Sequence, residues 1–468
     1  MLALAGATLC GLVSVSTSSM DSGKLSDGNA VRGPGVWRVD DRLANLKPPG
    51  DDLSAAARQQ KVDTAIRSTA TWVTKDSRHS AQECVDRWLS ELADSCGGSS
   101  GSSSPAGKPS LLAALPGLLP STAAALKETV QDSGLASSPA SERRAAAVAM
   151  SIHWIMEQAD YTMLRDRLGL FLPVLLQTLD RSSDSVVRLV GLDALNLMLD
   201  RAMAVEVQNF VPPLEHLFLT SSPLLLQGDV VASMTVAPYC SGFTLFLLKA
   251  FAAASTSARS DQFDKFLYFG IVHCRTDQTA FLLFLEFGLL PLLSREDWLV
   301  APRLRKVTEV LLQAAEGVNA SEVLLAWHGL CLLFGGNLRS RATLYLQDIL
   351  LRLAFGYLTF IASGPPPGLG PPGGFVSPVV ESMTDVEWSL AERSRPALRQ
   401  SFALAARLVA ETAEDKIDQL LSEFEGTLVS STCSWRTKNL MPELRQFVSF
   451  VRDAIGTEEE AAGLASIC

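Results

Sequence analysis

Charge is scarce in this sequence. Only 19% of its 468 residues are Asp, Glu, Lys or Arg, and the balance is acidic, with a formal net charge of −10. No five consecutive residues share a sign. Nucleic-acid binding draws affinity from a basic face that displaces counterions from phosphates. No such face is written here, so direct nucleic-acid binding is not expected. Histidine is scarcer still: the five residues His79, His153, His216, His273 and His328 include no pair with metal-ligand spacing on one helix face. The eight cysteines (Cys10, Cys84, Cys96, Cys240, Cys274, Cys331, Cys433 and Cys468) contain no Cys-x-x-Cys. In so long a chain they do not form a disulfide framework, and a reducing compartment is the simpler reading. Cys240 and Cys331 lie in apolar runs, where a free thiol packs as a small hydrophobe. Sustained period-two alternation is also missing, which argues against a sheet-centred fold.

Two glycine motifs fail in context. Gly97-Gly98-Ser99-Ser100-Gly101 fits G-x-S-x-G, but a nucleophile elbow needs a strand before it and a helix after it, and this one lies in a Ser/Gly linker. Gly368-Leu369-Gly370-Pro371-Pro372-Gly373 fits G-x-G-x-x-G, but its two prolines remove backbone donors that a phosphate cradle would use. His273 abuts Cys274, yet adjacent helical residues point in different directions, so a Cys–His dyad is not expected. Asn319-Ala320-Ser321 is a glycosylation sequon that reads better as an N-cap before an apolar helix. No catalytic residue, cofactor or metal is expected, and the chain does not read as an enzyme.

What the sequence has in quantity is apolar surface: 47% hydrophobic residues and a mean hydropathy of +0.20. Helices buried on several sides, or helices in lipid, produce such values. Met1–Ser16 is apolar but has no basic residue before Lys24, so it lacks the positive region of a secretory signal. The chain reads as starting partway into a longer product. Val230–Leu248 is uncharged and long enough on paper to span a bilayer. Its load of Ser, Thr, Pro and Gly suits a buried helix better than a lipid-facing one. Val323–Leu338 is interrupted by Gly335-Gly336, and Phe281–Leu293 is short and carries Glu286.

Residues 1–50 are Gly-, Ser- and Asp-rich and read as a disordered or truncated segment, followed by a helical segment at 51–96. A flexible linker with a short helix at Leu111–Leu126 fills 97–140, with its Gly/Ser core at 97–110. Helical repeats are expected over 141–363, then a Pro/Gly loop at 364–380, C-terminal helical repeats at 381–455 and an acidic tail at 456–468. Disorder is expected at 1–50, 97–110 and 364–378. Within the repeats, Asp184 opens a helix with polar Asp193, Asn196 and Asp200 on one stripe and apolar residues around the rest. Such a wide arc suits an inner helix between neighbours. Leu304, Val307, Leu311 and Ala314 follow the helical i, i+3, i+7 rule, as do Ile417 to Leu428 and Leu440 to Val451.

The segment Leu172–Leu197 resembles a HEAT repeat: an apolar helix, a short turn, Asp184, Val187-Arg188 and Ala194-Leu195. Phe171-Leu172-Pro173 echoes as Phe210-Val211-Pro212 after 39 residues, near the HEAT period of about 40. The expected fold is therefore all-α, a HEAT/armadillo-like helical solenoid. The resemblance implies a polar ladder between helices at Asp184 and Arg188, beside the simpler capping role of Asp184.

A more specific resemblance runs from Ser141 to about Tyr357. It is carried by Glu142-Arg143-Arg144, Ile152-His153-Trp154-Ile155, Leu164–Leu179, the Asp184–Leu199 helix, Leu290-Pro291-Leu292-Leu293 and Leu304-Arg305-Lys306-Val307. In that order these features are similar to the Tel-two-interacting protein two family, a HEAT-repeat subunit of the Triple-T (TTT) co-chaperone complex. The resemblance implies a non-enzymatic scaffold in cytoplasm and nucleus. Its implied partners are the other TTT subunits and, indirectly, the ninety-kDa heat-shock chaperone and the phosphatidylinositol-kinase-related kinases, which include the TOR and DNA-damage kinases. A transport receptor or phosphatase scaffold is the competing reading, but those families stay regular throughout, whereas regularity here fades after Leu217. Candidate partner-binding residues are the basic group Arg303, Arg305 and Lys306, with Arg295 nearby, and the C-terminal stripe Leu444, Phe447 and Val451. That stripe has few later helices to bury it and is the expected contact with the first Tel-two-interacting protein.

Overall fold

The computed structural model describes residues 119–120, 123–130, 139–158, 161–165, 167–182, 184–222, 225, 235–249, 256–293, 297–366, 375–413, 417–423 and 441–456, together with helical Glu83. The expectations for 1–50, most of 51–96, the 97–110 linker with its G-x-S-x-G motif, the G-x-G-x-x-G motif, Arg295 and the tail after 456 lie outside these residues. Among the described residues 89% are helical and none is in a strand, so the fold is all-α. The described chain divides into two compact units, one ending at Ala280 and the other starting at Phe281. The expectation of one array over 141–363 thus meets a division inside it.

In the first unit, α1 (Pro139–Gln158) begins with proline, whose fixed φ suits a first helical position. A short helix, Tyr161–Leu164, leads to α2 (Leu168–Arg181), and a turn of three residues folds α3 (Ser185–Arg201) back on it. Then come Ala204–Gln208, α4 (Val211–Ser221), α5 (Val236–Lys249) and α6 (Thr256–Tyr268), which runs on as a π-helical stretch, Phe269–His273. Helix α3 packs against α1, α2 and α5, and α2 against α4. Its nearly all-round apolar sequence has this cause: it is an inner helix, with Val187, Ala194 and Leu195 fully buried.

Two residues of the polar stripe of α3 bond to those neighbours. Asp193 accepts from His153 of α1 at 2.9 Å, and Asn196 donates to the Pro238 carbonyl of α5 at 2.9 Å. Gly242 faces Asn196 at the same crossing, where a Cβ would stand 2.5 Å from Asn196 Oδ1. Only glycine lets the two helices approach this closely. Beyond it lies an aromatic cluster: Phe243 stacks on Phe266 at 4.9 Å, and Phe218 meets Tyr239 and Phe243 edge to face. The Tyr239 hydroxyl donates to the Phe218 carbonyl at 2.9 Å, giving this buried tyrosine its partner.

The second unit holds the end of the helical run Gln278–Leu293, then α7 (Leu304–Ala315), α8 (Ala320–Gly335), α9 (Leu346–Tyr357), α10 (Asp385–Ala413) and α11 (Met441–Gly456). Helix α8 lies between Leu290–Leu293 and α10, while α7 packs on α8 and α9, and α9 on α10 and α11. Asn319 caps α8, its side chain accepting from Ser321 N at 2.9 Å and Glu322 N at 3.4 Å. Trp327 of α8 meets Phe402 of α10 edge to face at 6.0 Å.

The helices over these three uncharged or apolar stretches, Val236–Lys249, Gln278–Leu293 and Ala320–Gly335, are each too short to span a membrane. Among the described residues one helical run, Arg339–Ala362, is long and apolar enough to cross a membrane, and half of its window is buried in the protein. The Pro/Gly loop is anchored where it leaves this run. Gly364 N donates to the Phe375 carbonyl at 2.9 Å and Ser377 N to Ser363 Oγ at 2.9 Å. Pro366 is buried. The expected disorder over 364–378 therefore fails at both ends of the loop, which these hydrogen bonds and the burial of Pro366 hold in place; residues 367–374 lie outside the description.

Candidate functional site

The Asp184–Arg188 pair serves its own turn. Asp184 Oδ1 accepts from Val186 N at 2.7 Å and Val187 N at 3.2 Å, which satisfies two of the free donors at the start of α3. Arg188 donates through Nε and Nη2 to the Ser182 carbonyl at 3.2 and 3.1 Å. Its pKa is lowered, chiefly by burial, with Glu142 opposing the shift. Ser182 Oγ in turn donates to Glu142 at 2.6 Å, so the network ties the α2–α3 turn to α1. The ladder implied at Asp184 and Arg188 is thus a local clasp.

A different set of cross-helix contacts was invisible in the sequence. Arg181 donates to the Val130 carbonyl at 3.0 Å, and Arg201 to the Met156 carbonyl. Lys249 donates to Leu199 O at 2.8 Å and to Ala202 O at 3.1 Å, and Arg407 donates to Ala454 O at 2.7 Å. For Arg201, Lys249 and Arg407 the cation covers carbonyls at the C-terminal end of another helix, where the partial negative charge of the helix lies. The partner sits 45 to 51 residues away in sequence. No local pattern marks these residues; the one hint is a lone cation in an otherwise apolar helix, as with Lys249.

The C-terminal stripe is core. Leu444, Phe447 and Val451 are all buried, with Tyr357 of α9 against Phe447 at 5.5 Å and against Phe450 at 4.9 Å. Helix α11 folds onto α9 and α10, so earlier helices cover the stripe. The assignment of Leu444, Phe447 and Val451 to a partner surface is corrected accordingly.

The basic group stands outward. Leu304 and Val307 bury one face of α7, leaving Arg305 and Lys306 exposed and Arg303 half-buried. Arg305 Nε pairs with Glu309 at 2.8 Å, a contact that raises its pKa, and it also lies within electrostatic reach of Tyr345. That reach joins it to the turn before α9, where Arg341 and Leu344 are exposed and Arg339 pairs with Glu411 at 2.5 Å. Farther along, Arg352 of α9 holds Glu316 at the end of α7 at 3.0 Å.

Cysteine chemistry is suppressed where it is described. Cys240, Cys274 and Cys331 are free and buried. Burial, reinforced by their mutual proximity in the case of Cys240, pushes the Cys240 and Cys274 thiols well above the usual range. His273 packs its ring toward Tyr268 and Phe269, while Cys274 is fully buried. Among the described residues no three His, Cys, Asp or Glu side chains gather as metal ligands. What the described residues define is an all-α protein. No family model, curated protein or solved structure matches the chain.

Proposed function

We propose that this chain is a HEAT/armadillo-like solenoid acting as a non-enzymatic scaffold subunit of the Triple-T co-chaperone. In that complex it would support the maturation and stability of phosphatidylinositol-kinase-related kinases in cytoplasm and nucleus. The observation that carries the reading is the packing order. In the first unit α1, α3 and α5 follow one another in contact, with α2 and α4 beside them; in the second, the 290–293 turn, α8 and α10 do so, with α7, α9 and α11 beside them. Two files of helices, each touching its neighbours, are what helical-repeat stacking produces. The resemblance over Ser141 to about Tyr357 adds the specific complex. Several residues that carry it, including Ile152, Trp154, Ile155 and Val187, are core residues, and so speak to packing more than to a shared binding surface.

The test is affinity purification of the tagged full chain from cells, with mass spectrometry of what elutes, and depletion of the chain with quantitation of the kinases. Co-elution of the other Triple-T subunits and falling kinase levels are expected. Absence of those subunits together with unchanged kinase levels would overturn the co-chaperone assignment.

A further inference from the structure

We draw no further inference here: the strongest candidate, the exposed apolar pair Leu351 and Phe355 one turn apart on α9, is an unpartnered helix face, and nothing in the structure shows what covers it.

Discussion

Asp184 holds the first turn of α3 by two hydrogen bonds, and capping of this kind is local enough to isolate by substitution. Asp184→Ala should cost about 1 kcal/mol, whereas Asp184→Asn should cost much less, because asparagine caps almost as well. Urea denaturation of both variants measures the difference. Gly242 presents a harder constraint. The Cβ of Gly242→Ala would fall 2.5 Å from Asn196 Oδ1 and 3.2 Å from Phe218, with no room on either side. Overpacking at a tight crossing costs about 1–3 kcal/mol, so this variant should melt well below wild type in a thermal scan. The buried thiols give a third handle. Cys240 and Cys274 should resist iodoacetamide in the native protein and react quickly in denaturant, as read by mass spectrometry of peptides; rapid native labelling would contradict their burial. Their raised pKa also has a linkage consequence. Above about pH 8.5 the unfolded chain ionises thiols that the folded chain keeps protonated, so stability should fall as pH rises through that value.

Helix α11 shows how a stripe's meaning depends on its neighbours. Its apolar residues at 444, 447, 448 and 451 are legible as one face of a helix, and that face exists. Whether it faces a partner or the chain's own core is decided by the path of the chain, which returns α11 to α9 and α10. Phe447→Ala should therefore destabilise the second unit by about 3–5 kcal/mol, as truncation of a buried aromatic does. Helical circular dichroism during denaturation checks this. A variant as stable as wild type would return the stripe to the list of free surfaces. The inner helix α3 worked the other way. Its wide apolar arc was legible as an inner position, and α1, α2 and α5 do surround it. Its polar residues at 193 and 196 gave no hint that each would find a partner on a different helix.

For the whole molecule, two repeat signals must be separated. The 39-residue echo of Phe171-Leu172-Pro173 in Phe210-Val211-Pro212 does not align helices. Phe171 lies within α2, while Phe210 is the residue that precedes α4. The repetition that does recur is in packing, with each helix meeting the one after next, and in cations reaching helix ends some 45 to 50 residues away. Such contacts make a chain of neighbours cooperative. Lys249→Met removes three carbonyl contacts at the end of α3 while keeping the apolar stem. It should speed amide hydrogen exchange first at the last turn of α3, before α5 itself opens. Uniform exchange across the unit would show that the contact is not local.

The sequence by itself determined the helical class, because a 3.6-residue period and the lack of period-two alternation are local properties that tertiary contacts rarely reverse. It also determined the caps at Asp184 and Asn319, where a short polar side chain and the amides two and three residues on close on each other without help from afar. Only the tertiary structure decided which apolar faces are spent inside the chain and which remain outside, since burial depends on residues tens of positions away. Phe447 went in and Leu344 stayed out for that reason. Tertiary structure likewise decided that Arg201, Lys249 and Arg407 close the ends of other helices, while Lys306 and Arg341 face water. A cation's partner is fixed by where helices end in space, and a linear pattern carries no record of that.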